Sequence, residues 1–259
     1  MVKSKRKPSL RFRLTEDYIV NLNRKHWFIE VEHYLWTRFA SKQFKNATFR
    51  DWLLYLVEPL RPYIDVRIIY CAFKGKHKPN NMFAVGGVYD DYLDKRRKKP
   101  IKLKIYRWDW PDYSNPGTKE WLANEIFKTI THELNHLKQG RKKNYRFAEW
   151  YGEYLEDPDE IDSYALNAAQ GLVARFGIRA ARKRVARFKT RDSHCTEVAS
   201  YAKLDNIRVQ ARFLKRLIKY IDMYEEYETL YGRNKLSSYK IHHRRALTRR
   251  KIKQHSPFA

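Results

Sequence analysis

The feature that most constrains the fold of this chain is a long segment, 118–140, in which apolar residues recur at helical spacing. Its predicted apolar face consists of Trp121, Leu122, Ile126, Ile130, Leu134 and Leu137. Apolar residues three and four apart lie on one side of a helix, and that side is buried against the rest of the protein. We therefore predict one amphipathic helix, with Thr118 as its N-cap and Gly140 at its C-terminal end.

A short motif, His-Glu-x-x-His, lies within this helix and is formed by His132, Glu133 and His136. Residues four apart are stacked on one face of a helix, so the two imidazoles can hold one zinc ion. The glutamate between them can act as a general base towards a metal-bound water. We predict His132 and His136 as metal ligands and Glu133 as the catalytic residue. Because so short a motif also arises by chance, the alternative is that both histidines are ordinary polar residues of a surface helix.

A catalytic zinc site needs a third protein ligand, and the sequence offers a carboxylate. Segment 147–174 contains seven acidic residues and neither Lys nor Arg. Within it we favour Glu160, 24 residues after His136, with Asp162 as the alternative ligand. A competing explanation for Glu160 is a capping box, in which Asp157 is the N-cap and Glu160 bonds back to the backbone.

The motifs of residues 118–172 resemble those of zincin-fold metallopeptidases of the gluzincin type. More narrowly, they are similar to small phage-encoded peptidase-like proteins. The shared elements are His-Glu-x-x-His-x-x-Gln at 132–139, Trp-x-Gly at 150–152, and a segment at 158–164 that corresponds to Pro-Trp-Glu-Ile-Glu-Ala-Tyr. Asp159 replaces the tryptophan of that segment, and its two acids fall on Glu160 and Asp162, so the resemblance leaves both candidate ligands open.

The resemblance implies a zinc-dependent, phage-encoded hydrolase that uses a metal-activated water on a peptide or amide bond. Its partner would be a peptide or protein substrate, added as an extended strand to the edge of segment 101–108. Glu133 would take the proton of the water. The tyrosines and histidine available to stabilise an oxyanion are Tyr151, Tyr154, Tyr164 and His194.

The charge of the chain points to a second kind of partner. Lys and Arg number 55 against 29 Asp and Glu, a net charge of +26, which favours nucleic acid or acidic proteins. No nucleic-acid-binding motif is present, so only nonspecific phosphate contact is predicted. The candidate residues lie in a basic segment, 175–191, whose alternative role is a solvated cationic helix; they are Arg179, Arg182, Lys183, Arg184 and Arg187.

A different class of function also fits these observations. The chain would then be a virion structural or assembly protein, part of a larger viral assembly, in which a zincin-like site is structural or vestigial. Neither an 18-residue apolar run nor a signal peptide is present, so we expect no membrane span and a location in the host cytoplasm or the virion.

The expected fold is α+β and mostly helical. Segments 64–73, 82–88 and 101–108 are predicted strands of a small antiparallel sheet, and Gly86-Gly87 suggests a bulge or a close backbone approach. Helices are expected at 158–176 and 196–231. The predicted divisions are a basic arm with N-terminal helices (1–62), a zincin-like metal-binding core (63–176) and a basic helical extension (177–259).

Overall fold

A computed structural model describes residues 22–40, 49–71, 83–96, 98–108, 116–143, 153–188 and 195–231. The fold is α+β, as predicted, and it combines many helices with one three-stranded sheet. In chain order the elements are α1 Trp27–Ala40, α2 Phe49–Val57, β1 Ile64–Cys71, β2 Phe83–Tyr89, α3 Asp91–Lys95, β3 Ile101–Trp108, α4 Pro116–Lys142, α5 Pro158–Phe176, α6 Ile178–Val185, α7 Thr196–Ala202 and α8 Ile207–Tyr231.

The sheet is mixed rather than antiparallel, which corrects the predicted topology. The strand order is β1-β3-β2, so β3 is the central strand. It runs antiparallel to β2 but parallel to β1. The prediction was wrong because the alternation of apolar and polar residues identifies a strand without specifying its neighbours. Here β2 occupies the outer edge beyond β3, and strands consecutive in sequence are not always adjacent in space.

Helix α4 packs against β2 and β3 and carries the motif. Five of its six predicted apolar-face residues are buried, and Trp121 is half-buried. On the sheet side, Ile101, Leu103 and Ile105 of β3 are fully buried, as their spacing of two residues requires. The helix begins at Pro116 and ends at Lys142, so Thr118 and Gly140 lie inside it rather than at its ends.

Helix α5 packs against both α4 and α8, and its first turn faces the motif. Asp157 is its N-cap, and the Asp157 side chain accepts a hydrogen bond from the N–H of Asp159 at 2.8 Å. At its other end, Gly177 has a φ of 79°, a left-handed conformation that separates α5 from α6. The helix predicted at 196–231 is divided into α7 and α8, because the Asn206 side chain caps the start of α8.

One cluster of buried residues contains members of all three predicted segments. Phe28 of α1, for example, makes edge contacts with Tyr220 and Tyr224 of α8, each with ring centroids 5.4 Å apart. The Tyr224 hydroxyl also donates to Glu32 of α1 at 2.6 Å. The division into segments stays a prediction. In the described part of the chain, no helix combines the length and apolarity needed to cross a membrane.

Candidate metal centre

Two helices bring three metal-ligating side chains together. His132 and His136 are one turn apart on α4, and their Nε2 atoms are 3.1 Å apart. Glu160, in the first turn of α5, places Oε2 3.3 Å from His132 Nε2 and Oε1 3.3 Å from His136 Nε2. Among the described residues this is the group that could hold a metal ion.

The spacing of these atoms is compatible with a shared metal ion. Ligand atoms that each lie about 2.0–2.1 Å from a tetrahedral zinc ion are separated from one another by about 3.3 Å. The 3.1 Å between the two Nε2 atoms is close to that value, and each Nε2 lies 3.3 Å from a different oxygen of the Glu160 carboxylate. In addition, Glu160 Oε2 is buried and makes no well-aligned hydrogen bond, so it retains a lone pair for an ion. The three side chains therefore converge closely enough to hold one metal ion.

The site is enclosed but not sealed, since the side chains of its three members are only 10–13% exposed. Burial alone would raise the pKa of Glu160, but its contacts with both imidazoles outweigh burial and lower that pKa to about 2. Burial alone would lower the pKa of His136, but the contacts of this imidazole with the Glu160 carboxylate outweigh burial and raise it. Glu160 is thus ionised at neutral pH and is held between the two imidazoles.

The outward-facing nitrogen of each imidazole contacts an amide side chain. Gln139 Oε1 lies 2.9 Å from His136 Nδ1, which can therefore donate and leave Nε2 with a lone pair. Asn167 lies 3.3 Å from His132 Nδ1 and is itself buried, and its Oδ1 has no hydrogen-bond partner. Rotating this amide would let Oδ1 accept from His132 Nδ1, which satisfies both groups and again presents Nε2 to an ion.

Asp162, the alternative ligand, lies outside the cluster. Its Oδ2 accepts hydrogen bonds from Tyr220 at 3.0 Å, from Asn135 at 3.2 Å and from Gln139 at 3.4 Å. This carboxylate therefore holds the Gln139 side chain in position and, through Tyr220, links α5 to α8. Because residues 160 and 162 are two apart on a helix, their side chains point in different directions. The capping-box alternative for Glu160 does not describe this arrangement either, since the Glu160 carboxylate faces the histidines.

Glu133 lies beside the cluster, where α4 meets β2. The Glu133 carboxylate is buried, and burial raises its pKa even though the two histidines act in the opposite direction. The backbone N–H of Tyr89 donates to it. Asp90 N–H bonds to Pro100 on the β3 side, at 2.8 Å, so the preceding Tyr89 N–H points to the outer edge of β2. Glu133 is therefore held at that edge.

Gly87 is what allows α4 and β2 to approach so closely. A Cβ atom at this position would lie 2.6 Å from both Cγ and Oε1 of Glu133 and 2.7 Å from Cγ2 of Thr129. The neighbouring Gly86 has no atom within 4 Å of such a Cβ. The close approach predicted from the glycine pair is thus present at Gly87, and the β2–β3 register continues through both residues without a bulge.

Two tyrosines extend the site beyond the ligands. The Tyr164 ring packs edge-on against His132, with centroids 5.0 Å apart. Tyr154 is exposed over about half of its surface and interacts with Glu160 and with Tyr164. Its partial burial, followed by these contacts, raises the pKa of its hydroxyl well above the usual range. Both were candidate oxyanion donors. The other two, Tyr151 and His194, lie outside the described residues.

The strand 101–108 was predicted to offer its edge to a peptide, and this expectation is wrong. That strand is β3, which pairs with β1 on one side and β2 on the other, so both of its edges are occupied. Among the described residues no strand pairs with the outer edge of β2. The edge next to Glu133 therefore belongs to β2.

The predicted nucleic-acid residues lie on or just after α6. Arg179, Lys183 and Arg187 are exposed. Arg182 forms ion pairs with Asp222 and Glu225 of α8, and the Arg184 guanidinium lies 3.8 Å from the centre of the Phe176 ring. These contacts leave the α6 segment less available to phosphate than its composition suggests.

Comparison with known proteins does not add to these observations, because no family model, curated protein or solved structure matches the chain.

Proposed function

We propose that this protein is a zinc-dependent hydrolase of the metallopeptidase kind, which cleaves a peptide or amide bond. The observation that carries the proposal is the convergence of His132, His136 and Glu160 beside the buried carboxylate of Glu133. Catalytic zinc sites combine three protein ligands with an open position, and two histidines and one glutamate are a common set. Zinc as the metal, and a phage origin, rest on the resemblance of the motifs.

In the proposed hydrolysis, the metal ion and the protein side chains would have different roles. A bound zinc ion would supply Lewis-acid activation of a water and of the scissile carbonyl. Glu133 would accept a proton from the attacking water and return it to the leaving amine. Its burial favours this role, because a raised pKa makes the carboxylate a stronger base. Gln139 would orient His136 through Nδ1, and Asn167 would do the same for His132.

Tyr154 and Tyr164 are the candidate donors to the oxyanion that develops on the substrate carbonyl. Burial, followed by neighbouring charges such as that of Glu160, raises the pKa of both hydroxyls, so each keeps its proton at neutral pH. A donor aimed at developing charge contributes on the order of 10²–10³-fold in rate.

The outer edge of β2 is the proposed substrate-binding position. An extended peptide that pairs with this strand would run past Glu133, because the Tyr89 N–H at the same edge already contacts that carboxylate. Main-chain hydrogen bonds would provide affinity with little dependence on sequence. Gly86 leaves room beside the backbone, since a Cβ atom there would have no atom within 4 Å.

The test combines metal analysis with hydrolysis of a mixed library of quenched fluorescent peptides. We expect about one zinc per chain in the wild type and in Glu133→Gln, with activity in the variant reduced by about 10²–10⁴-fold. Glu160→Ala should lose zinc. Asp162→Asn, the matched control, should retain it because that carboxylate supports Gln139 and does not face the ion.

Absence of bound metal from the wild-type protein would overturn the proposal. Stoichiometric zinc without peptide hydrolysis would overturn the enzymatic part and favour a structural role in a viral assembly. Retention of zinc in Glu160→Ala together with its loss in Asp162→Asn would exclude the ligand set.

A further inference from the structure

Helices α4 and α8 bring basic side chains from distant parts of the sequence onto one surface, which we call the α4–α8 basic face. Its members are Lys138 and Lys142 of α4 and Arg212, Lys215, Arg216 and Lys219 of α8. The four on α8 follow the i, i+3, i+4, i+7 spacing of a single helical stripe. With Ala211 they line a shallow groove of about 550 Å³.

Two cations of this face lie close enough to Lys138 to act on its charge. Lys138, on α4, experiences the positive charges of Lys219 and Lys142. Within the part of the chain that the structure describes, the one ion pair of this face joins Arg216 to Asp162, at 3.4 Å. Asp162 is also engaged by the Tyr220 hydroxyl, so it cannot neutralise the stripe. Lys138 is half-buried and lies 5.7 Å from the centre of the Trp27 ring, whereas Lys142, Arg212, Lys215 and Lys219 are exposed.

The two halves of α8 differ in charge, and this difference decides which basic segment is available. The C-terminal half contains Asp222 and Glu225, which pair with Arg182 of α6. The N-terminal half contains the basic stripe, and its described neighbours on α4 are also basic. The pairing of Arg182 and the exposure of the stripe thus follow from the packing of the helices.

We propose that the α4–α8 basic face binds the phosphate backbone of duplex DNA without sequence preference. A polyanion is the complementary partner for such a stripe, and Lys and Arg contacts to phosphate release counterions. From Arg212 to Lys219 the stripe extends about 10 Å along a straight helix, which suits a stiff, regular array of phosphates. Single-stranded nucleic acid instead calls for exposed aromatic rings that stack on bases.

The described residues of the stripe offer no such ring, because Tyr220 is buried and its hydroxyl is bonded to Asp162. This binding site does not depend on the proposed hydrolase activity. Because Asp162 contacts both Gln139 of the metal centre and Arg216 of the stripe, the two sites are neighbours. A substrate protein bound to DNA would therefore be held near the metal centre.

The test measures binding of the full chain to a fluorescein-labelled 20-base-pair duplex DNA of random sequence by anisotropy, over a range of salt concentrations. The stripe variant Arg212→Gln/Lys215→Gln/Lys219→Gln is compared with Arg179→Gln/Lys183→Gln/Arg187→Gln, which removes the same charge from the α6 segment. We expect the stripe variant to bind at least tenfold more weakly, with a salt slope reduced by about 2–3. The α6 variant should change affinity less than threefold.

Equal losses in the two variants would overturn the proposal, because net charge alone would then explain binding. So would unchanged binding in the stripe variant, or tighter binding of single-stranded DNA or duplex RNA than of duplex DNA. All six substitutions are at exposed positions, so folding should be preserved, and circular dichroism with a thermal scan checks it. Unchanged DNA binding by Glu160→Ala would show that DNA binding does not require the metal centre, so that the two proposals are tested independently.

Discussion

At the scale of single residues, Gly87 is as important to the site as the ligands. Its missing side chain lets β2 approach the Glu133 carboxylate, which a Cβ atom would contact at 2.6 Å. We expect Gly87→Ala to reduce the free energy of unfolding by about 1–3 kcal/mol, since Glu133 and Thr129 have to move to make room. Urea unfolding monitored by tryptophan fluorescence measures the loss.

Gly86 provides the matched control, because it belongs to the same strand and its added Cβ would meet no atom within 4 Å. Gly86→Ala should change stability by no more than about 0.5 kcal/mol. The added methyl group also reduces the conformational entropy of the unfolded chain, which favours the folded form of this variant. If the two substitutions cost the same, the close approach at Gly87 does not determine the position of Glu133.

At the scale of elements, a buried ion pair joins α4 to α7. Lys128 Nζ lies 2.7 Å from Glu197 Oε1, and the Cys195 thiol donates to Glu197 Oε2. Burial alone would raise the pKa of Glu197, but Lys128 and the Cys195 thiol hold it below its usual range. Burial alone would lower the pKa of Lys128, but the charges of Glu197 and Glu125 outweigh burial and raise it. Burial also raises the pKa of Cys195, to about 12, so the thiol stays protonated.

We expect Glu197→Gln to cost about 3 kcal/mol near neutral pH, because it leaves the buried Lys128 without its nearest carboxylate. The pKa of Glu197 is lower in the folded protein than its unfolded value of about 4.3, so this carboxylate stabilises the fold above that pH. The stabilisation is lost as the pH falls through the folded pKa. The pKa of Lys128 is raised in the folded protein, so its charged form stabilises the fold below about pH 10.4, and this stabilisation is lost at higher pH. The difference between wild type and variant should therefore be constant from about pH 5 to 9 and shrink under acid.

Urea unfolding of both proteins at several pH values measures this difference. Asp205→Asn, at an exposed position between α7 and α8, is the control and should follow the wild type at every pH. A difference that grows as pH falls below 4 would contradict the assignment of the pair.

At the scale of the whole molecule, the proposed metal would couple α4 to α5, since its ligands come from both helices. Zinc that binds only the folded protein stabilises it by about 2.7 kcal/mol at a free concentration 100 times its dissociation constant. For a chain of this size that corresponds to a rise in Tm of about 5–10 °C. We expect Glu133→Gln to show the full rise and Glu160→Ala to show none.

Differential scanning fluorimetry with zinc, and with a chelator added afterwards, measures the change. A rise of equal size in Glu160→Ala would mean that zinc binds elsewhere on the chain. Magnesium at the same concentration is the control ion, and it should have little effect because it prefers oxygen ligands.

Local sequence patterns predicted the elements better than their arrangement. The spacing of apolar residues along 118–140 identified α4, and Asp157-Pro158 identified the start of α5, because capping and helical burial depend on neighbouring residues. Strand order was not predictable in the same way, since β1 and β3 pair across more than thirty residues. Which acid faces the histidines was equally open, because Glu160 and Asp162 have the same chemistry.

By itself, the sequence determined the spacing of His132 and His136, since any helix through this motif stacks the two imidazoles. Only the tertiary structure decided that Glu160 joins them while Asp162 turns to α8, because that choice depends on how α5 lies against α4. The same holds for charge. Composition indicates a basic protein, but the packing of α8 against α5 and α6 determined that Arg182 is paired while the α8 cations form an exposed stripe.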